Sequence, residues 1–158
     1  MATATVDKLQ VLLDQDLAQL RQLATLLEEE KALLANADVR AIEPLTEQKN
    51  TLLTSIRERA RQKVHLLVEM GFRPDQGHPS RFIRSAGLSD LHRSWEQAQT
   101  ALADCHALNQ QNSKVVSHLQ ARLAKLTDIF RGSSGQQKLY GATGQQTSVG
   151  QRNILASA

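Results

Sequence analysis

The stretch LHRSWEQAQTALADCHALNQQNSKVVSHLQARLAKLTDIF, residues 91–130, repeats apolar, small or amide side chains at alternating steps of three and four. This spacing is that of the inward stripe of one long α-helix. The stripe consists of Leu91, Trp95, Ala98, Leu102, Cys105, Asn109, Asn112, Val116, Leu119, Leu123, Leu126 and Phe130. We expect this helix to begin at Ser89 or Asp90 and to end at Gly132. Asn109 and Asn112 cost stability on the stripe but can fix its register.

Two further helical patterns precede this stretch. A seven-residue repeat predicts a helix over about residues 4–36. The repeat consists of Val6, Leu13, Leu20, Leu27 and Leu34, with Leu9, Leu17, Leu23 and Ala24 at the intervening steps. A second series predicts a helix over about residues 40–70 that ends at Gly71. Its members are Val39, Ile42, Leu45, Leu52, Leu53, Ile56, Ala60, Val64, Leu67 and Met70. Pro44 either lies in the first turn of this helix or kinks a helix that begins earlier. The connection at residues 36–38 is short, so the two helices should form an antiparallel hairpin.

The connection between the second and third helices is long. It reads GFRPDQGHPSRFIRSAG, residues 71–87, and has no sustained periodicity. It nevertheless retains Phe72, Phe82 and Ile83, which a surface linker would not need. We expect it to cross one end of the bundle with these three side chains inside.

The composition agrees with an all-α fold. Of the 158 residues, 41% are hydrophobic but only 3% are aromatic, which suits helices better than sheets. The sequence thus predicts a long antiparallel hairpin plus a third long helix, an up-down bundle with coiled-coil-like packing. Residues 1–132 form the predicted bundle domain, and residues 133–158 a flexible C-terminal tail.

The net charge of +3 is unevenly distributed along the chain. Residues 1–38 carry three basic and seven acidic side chains, whereas residues 57–93 carry eight basic and four acidic ones. In the hairpin, Asp14 and Asp16 should lie opposite Arg57, Arg59 and Arg61. We expect exposed ion pairs there, each worth about 0 to 1 kcal/mol.

Compartment and membrane signals are sparse. The sequence has one cysteine, no signal-peptide pattern at its start and no apolar run long enough to span a bilayer. These features favour a soluble protein of a reducing compartment that is not itself inserted in a membrane.

No catalytic, cofactor or metal constellation emerges. The histidines, His65, His78, His92, His106 and His118, follow no metal-ligand spacing and are interpreted as scattered surface residues. Cys105 is on the inward stripe and is interpreted as a small core residue rather than a nucleophile. Glu28, Glu29 and Glu30 are interpreted as a solvated face.

Three classes of binding function stay open from the residues alone. The bundle could hold the amphipathic helix of a partner in an apolar groove. It could self-associate as a coiled-coil scaffold, with a homodimer as the simplest form. It could also bind nucleic acid through a basic surface. That surface would comprise Arg57, Arg59, Arg61, Lys63, Arg73, Arg81, Arg84 and Arg93.

Five stretches in order resemble the FlgN family of flagellar type III export chaperones. They are LEEEKALLANAD at 27–38, IEPLTEQKNTLL at 42–53, MGF at 70–72, LNQQNSKVV at 108–116 and LYGATGQ at 139–145. The resemblance implies a cytoplasmic, non-enzymatic helical protein without cofactors. It would bind the C-terminal helices of the hook-filament junction proteins FlgK and FlgL. It would deliver them to the export gate protein FlhA, transiently at the inner-membrane export apparatus.

The resemblance also implies which residues act. The third helix would contribute most to client binding, here through Asn109, Asn112, Val116, Leu119, Leu123, Leu126 and Phe130. A tail tyrosine would contact the export gate, here Tyr140 with its neighbours Leu139 and Gly141.

Overall fold

The computed structural model describes the backbone of residues 3–142 and the side chains of residues 3–132. Within these residues the protein is all-α, as the sequence predicts. Helix α1 spans Thr3–Ala35, α2 spans Val39–Glu69, α3 spans Pro79–Ser85 and α4 spans Ser89–Ala142. A short 3₁₀ turn, Pro74–Gln76, precedes α3.

The turn between α1 and α2 shows why the hairpin reverses here. Asp38 donates its backbone N–H to the carbonyl of Leu33, and Ala37 donates to Leu34, which closes the end of α1. Ala37 has a positive φ of 51°. The carboxylate of Asp38 then accepts from the N–H of Ala41 as the N-cap of α2. Pro44 lies inside α2, so the helix begins at Val39 and continues past the proline.

The predicted crossing of the long connection is confirmed. Gly71, with φ of 103°, ends α2, and the N–H of Phe72 returns to the carbonyl of Leu67. Phe72 and Ile83 are buried, and the rings of Phe72 and Phe82 lie 5.5 Å apart. Helix α3 was not predicted, because seven residues are too few to show a periodic pattern.

The compact unit at residues 1–112 has two apolar core clusters. The first brings Leu9 and Leu13 of α1 against Leu67, Ile83 and Trp95. The second comprises Leu20, Leu23, Leu27, Ile56 and Cys105. Cys105 is buried, as predicted, and its thiol donates to the carbonyl of Leu20.

A buried ionic layer lies at Asp16. Along α1, this residue follows Leu9 and Leu13 of the first cluster and precedes Leu20, Leu23 and Leu27 of the second. Arg59 Nη1 lies 2.9 Å from Asp16 Oδ1, and Lys63 Nζ contacts the other carboxylate oxygen. Lys63 also lies 5.0 Å above the ring of Trp95. The expectation of exposed pairs was therefore wrong for Asp16 and Arg59, which are only 2% and 9% exposed. Asp14 instead accepts a hydrogen bond from Gln10 on its own helix.

The end of the third helix also differs from the prediction. Helix α4 continues through Gly132 to Ala142. A glycine inside a helix costs only about 1 kcal/mol relative to alanine, which is not enough to stop a helix by itself. A second unit begins at Ser113 and includes the C-terminal part of α4. Of the predicted tail, residues 143–158 lie outside the described residues.

Candidate functional site

The C-terminal part of α4 exposes large apolar side chains. Leu123 is 58% exposed, Leu126 53% and Phe130 72%. Leu119 and Val116, one and two steps before Leu123 on the same stripe, are half-buried. A monomeric protein seldom leaves such a row of apolar groups in water unless the row binds something.

These five residues share one side of the helix. At about 100° per residue they fall within an arc of about 80°, so they form a continuous ridge. We call this ridge the α4 face and define it as Val116, Leu119, Leu123, Leu126 and Phe130. Val115 and Ile129, 41% and 66% exposed, widen it on one flank. Those two were missed because they fall outside the strict three-four spacing.

The surroundings of the α4 face are basic. Residues 113–132 contain four basic residues and one acidic residue, Asp128. At about 100° per residue, Arg122 and Arg131 lie on the two flanks of the face, whereas Lys114, Lys125 and Asp128 lie toward the opposite side of α4. The combination of an apolar ridge and basic flanks fits an amphipathic helix with acidic flanks.

Asn109 and Asn112 do not share this exposure. Asn112 is 2% exposed, and its Nδ2 donates to the carbonyl of Leu27 and to Glu30 Oε1, both at 2.9 Å. Asn109 Oδ1 accepts from Lys49 Nζ at 3.2 Å. Both asparagines therefore lie within the compact unit of residues 1–112 and hold α4 to α1 and α2.

Glu30 is the centre of this second polar layer. Lys49 Nζ lies 3.0 Å from Glu30 Oε2, while Asn112 occupies the other oxygen. Glu28 and Glu29 are exposed as predicted, but Glu30 is only 4% exposed, so its interpretation as solvated was wrong. The signal available in the sequence was its place in the seven-residue repeat, seven positions after Leu23.

The structure describes the predicted gate-contact residues by their backbone alone. Leu139, Tyr140 and Gly141 belong to the last turns of α4 by their backbone, but their side chains lie outside the described residues.

The basic surface is partly engaged within the protein. Arg59 and Lys63 are buried against Asp16, while Arg61 pairs with Glu58 and Arg93 with Asp90 on the surface. Four of its eight cations thus have a carboxylate partner, which weakens the attraction that phosphates would need.

The described side chains offer few candidates for catalysis or metal binding. Ser80, His92 and Glu96 come together, with Ser80 Oγ 3.2 Å from His92 Nε2. Glu96 approaches the same Nε2 at 3.7 Å rather than the opposite ring nitrogen, so the three do not form a relay. No group of three or more His, Cys, Asp or Glu side chains among the described residues could hold a metal ion.

The fold and the α4 face together define a class, an all-α protein whose long last helix exposes a row of large apolar side chains. The sequence model described as FlgN protein matches residues 1–148. The chain is also 32% identical over 154 residues to the flagella synthesis protein FlgN of Proteus mirabilis, covering 96% of this chain and 95% of that protein. The chain therefore belongs to the FlgN family.

No solved structure matches this chain. Among the described residues, none of the helices combines the length and the apolar character that a membrane crossing requires.

Proposed function

We propose that the protein is a cytoplasmic, non-enzymatic flagellar export chaperone whose clients are the C-terminal amphipathic helices of FlgK and FlgL. The α4 face is the observation that carries this proposal, since Leu123, Leu126 and Phe130 are each more than half exposed. Family membership and a flagellar relative support the same function.

Binding through the α4 face would protect the client in a simple physical way. A helix that is built to pack into a filament has an apolar side with nothing to cover it before export. Occupying that side lowers the concentration of client that is free to associate prematurely. The client helix would lay its apolar residues at three- and four-residue spacing along the face.

Asn109 and Asn112 have a different part in this proposal from the one the family resemblance implies. Their amides are already bound to Lys49, Glu30 and the carbonyl of Leu27. A client could reach them only by breaking those hydrogen bonds, so we limit the client contacts to the α4 face and its flank, Val115 and Ile129. The two asparagines then anchor the helix that carries the face.

Delivery would use the residues beyond the α4 face. We place the contact with FlhA at Leu139, Tyr140 and Gly141, within the segment 133–158. In this scheme the protein is only transiently at the inner-membrane export apparatus. An aromatic side chain supplies a large apolar surface and a polar hydroxyl in one residue, which suits a short recognition element.

Leu123→Asp tests client binding. A carboxylate in the middle of the α4 face must be desolvated against the apolar side of the client, so affinity for a FlgK C-terminal peptide should fall at least about tenfold. The matched control is Ala121→Asp, which adds the same charge to an exposed position on the opposite side of α4. Calorimetric titration measures both, and equal affinities of the two variants would contradict the assignment.

Tyr140→Ala separates delivery from client binding. This variant should retain affinity for the FlgK peptide while losing affinity for the soluble part of FlhA, because the two contacts use different segments. Loss of peptide binding with normal FlhA binding would reverse the assignment of the two segments.

A further inference from the structure

The cations of the basic surface that have no carboxylate partner among the described residues are concentrated in one segment. Four of the eight pair with carboxylates, and three of the other four lie in the connection between α2 and α4. These three are Arg73, Arg81 and Arg84, and all are exposed. We call residues 71–87 the cap and these three residues the cap arginines.

Each cap arginine is the chain neighbour of an apolar residue that packs inside the bundle. The neighbouring pairs are Phe72–Arg73, Arg81–Phe82 and Ile83–Arg84. Phe72 and Ile83 are buried, and the rings of Phe72 and Phe82 lie 5.5 Å apart. The backbone beside each guanidinium group is therefore held in place, so binding through these side chains costs less ordering than binding through a mobile loop would.

The neighbouring carboxylates leave the cap arginines available to a partner. Asp75 is the only acidic residue of the cap. The three acidic residues closest to the cap along the chain already contact other side chains. These contacts are Glu69 with His65, Asp90 with Arg93, and Glu96 with Ser80 and His92.

The residue type of these cations narrows the class of ligand. The cap contains three arginines and no lysine. A guanidinium group can donate two parallel hydrogen bonds to one carboxylate or phosphate, whereas the ammonium group of lysine acts as a point charge. Diffuse attraction to an anionic surface would be served equally well by lysine, so the arginines favour recognition of individual anionic groups.

Among anionic partners, a protein segment fits the cap better than nucleic acid or a membrane. Anionic membranes are bound by clusters of roughly four to eight basic residues, more than the cap offers. Single-stranded nucleic acid is bound by exposed aromatic side chains on which bases stack. The aromatic residues of the cap are Phe72, which is buried, and Phe82, which is half-buried.

The spacing of the arginines indicates the form of that protein segment. Arg81 and Arg84 are three residues apart on α3, so their Cβ atoms lie on one side of the helix, about 5 to 6 Å apart. In an extended chain, alternate residues point to the same side and are about 6.6 Å apart. Carboxylates at alternate positions of an extended segment therefore match the separation of the two guanidinium groups.

We propose that the cap binds an extended acidic segment of a partner protein, with carboxylates at alternate positions. Arg81 and Arg84 each hold one carboxylate through two parallel hydrogen bonds. Arg73, which the contact between Phe72 and Phe82 brings beside α3, holds a third. This site is separate from the α4 face and from residues 139–141, so it does not rest on the proposed binding of clients or of FlhA.

A labelled acidic peptide tests the proposal with the full chain. The probe is a fluorescein-labelled octapeptide of alternating glutamate and serine, and fluorescence anisotropy measures its affinity. The wild type should bind this peptide but not the same peptide with glutamine in place of glutamate. The double variant Arg81→Gln/Arg84→Gln should bind it about tenfold more weakly, because two ion pairs are lost.

Two further variants separate hydrogen-bond geometry from charge. Arg81→Lys/Arg84→Lys keeps both charges but cannot form the paired hydrogen bonds, so its affinity should fall about threefold. Arg73→Gln should also weaken binding about threefold. Because Arg73 lies outside α3, this variant tests the cap even if the double variants disturb that short helix.

Arg21→Gln/Arg57→Gln is the matched control. It removes two positive charges from exposed positions on α1 and α2, and it should change the affinity less than about twofold. Circular dichroism checks the helical content of every variant. A wild type that does not bind the peptide, equal weakening in the control, or full affinity in the lysine variant would each overturn the proposal. Tighter cap-dependent binding to phosphatidylglycerol vesicles or to a single-stranded oligonucleotide would also overturn it, by assigning the cap to a different class of partner.

Discussion

Asp16 is the residue at which the bundle concentrates buried charge. Its carboxylate is shared by Arg59 and Lys63, and all three side chains are at least nine-tenths buried. Removing one partner of such a group leaves an uncompensated charge in a poorly solvated place. We predict that Asp16→Asn lowers the free energy of unfolding by about 3 to 5 kcal/mol.

Urea unfolding measures this loss, and Asp14→Asn provides the matched control. Asp14 is exposed two positions earlier, and within residues 3–132 its carboxylate accepts a hydrogen bond from Gln10 alone, so its replacement should cost about 0.5 kcal/mol or less. Similar losses of unfolding free energy for the two variants would show that the buried ionic layer stabilises the fold no more than an exposed carboxylate does.

Cys105 offers a second residue-scale prediction. Burial raises the pKa of its thiol above the ordinary value, and the nearby carboxylate of Asp104 raises the pKa further. The folded protein therefore favours the neutral thiol more than the unfolded chain does. This contribution to stability is fully present below the ordinary pKa and is lost as the pH rises through the raised one.

As the pH rises above about 8.5, the ordinary pKa of a thiol, stability should accordingly decline more steeply in the wild type than in Cys105→Ala. Subtracting the two urea-unfolding profiles removes the titration of other groups. A difference that is constant across this range would contradict the thiol assignment.

At the scale of the helices, the sequence predicts well which segments are helical. It predicts less well which side of α2 is buried. The apolar series predicted Ala60 and Val64 on the inner side of α2, but both are exposed. Arg59 and Lys63 lie inside instead, because Asp16 provides the charge that they need. The spacing of hydrophobic residues cannot reveal this burial, because each member of a buried ion pair is a charged residue in the sequence of its own helix.

The other helices show both the limit and the strength of hydrophobic spacing as a predictor. The sequence alone suggests that Glu30 is solvated, whereas in the structure its carboxylate contacts Lys49 and Asn112. The α4 face, in contrast, follows directly from spacing, because a periodic apolar stripe predicts a ridge whether or not anything covers it. Exposure is the part that only the structure supplies, and it turns Leu123 from a core candidate into a surface one.

Glu30 and Asn112 connect α1 to α4, so their coupling is a prediction about elements rather than single residues. A double-mutant cycle with Glu30→Ala and Asn112→Ala should give a coupling energy of about 1 to 3 kcal/mol, because the pair is buried and directly bonded. Chemical denaturation of the four proteins measures it.

The cycle has its control within the same helices. Glu29→Ala combined with Asn112→Ala should be additive within about 0.5 kcal/mol, because Glu29 is exposed. Coupling of equal size in both cycles would mean that the polar layer does not join the helices as described.

For the whole molecule, stability and the proposed binding function fall on different parts of the chain. Both apolar clusters and both polar layers lie within residues 1–112, and the most exposed apolar side chains of α4 lie beyond them. A chain shortened to residues 1–118 keeps about one and two-thirds helical turns after Asn112, so its anchoring hydrogen bonds are not at a frayed end.

We predict that this shortened chain unfolds cooperatively at a urea concentration close to that of the full chain, while it no longer binds a FlgK C-terminal peptide. The reason is that it retains every buried contact of the first unit but lacks Leu119, Leu123, Leu126 and Phe130. Urea unfolding and calorimetric titration on the same preparations test the two halves of the prediction separately. A shortened chain that is unfolded would show that the C-terminal part of α4 is needed for the core. A folded one that still binds the peptide would place the client site within the first unit, where two open depressions lined by residues of α1 and α2 would be the next surface to test.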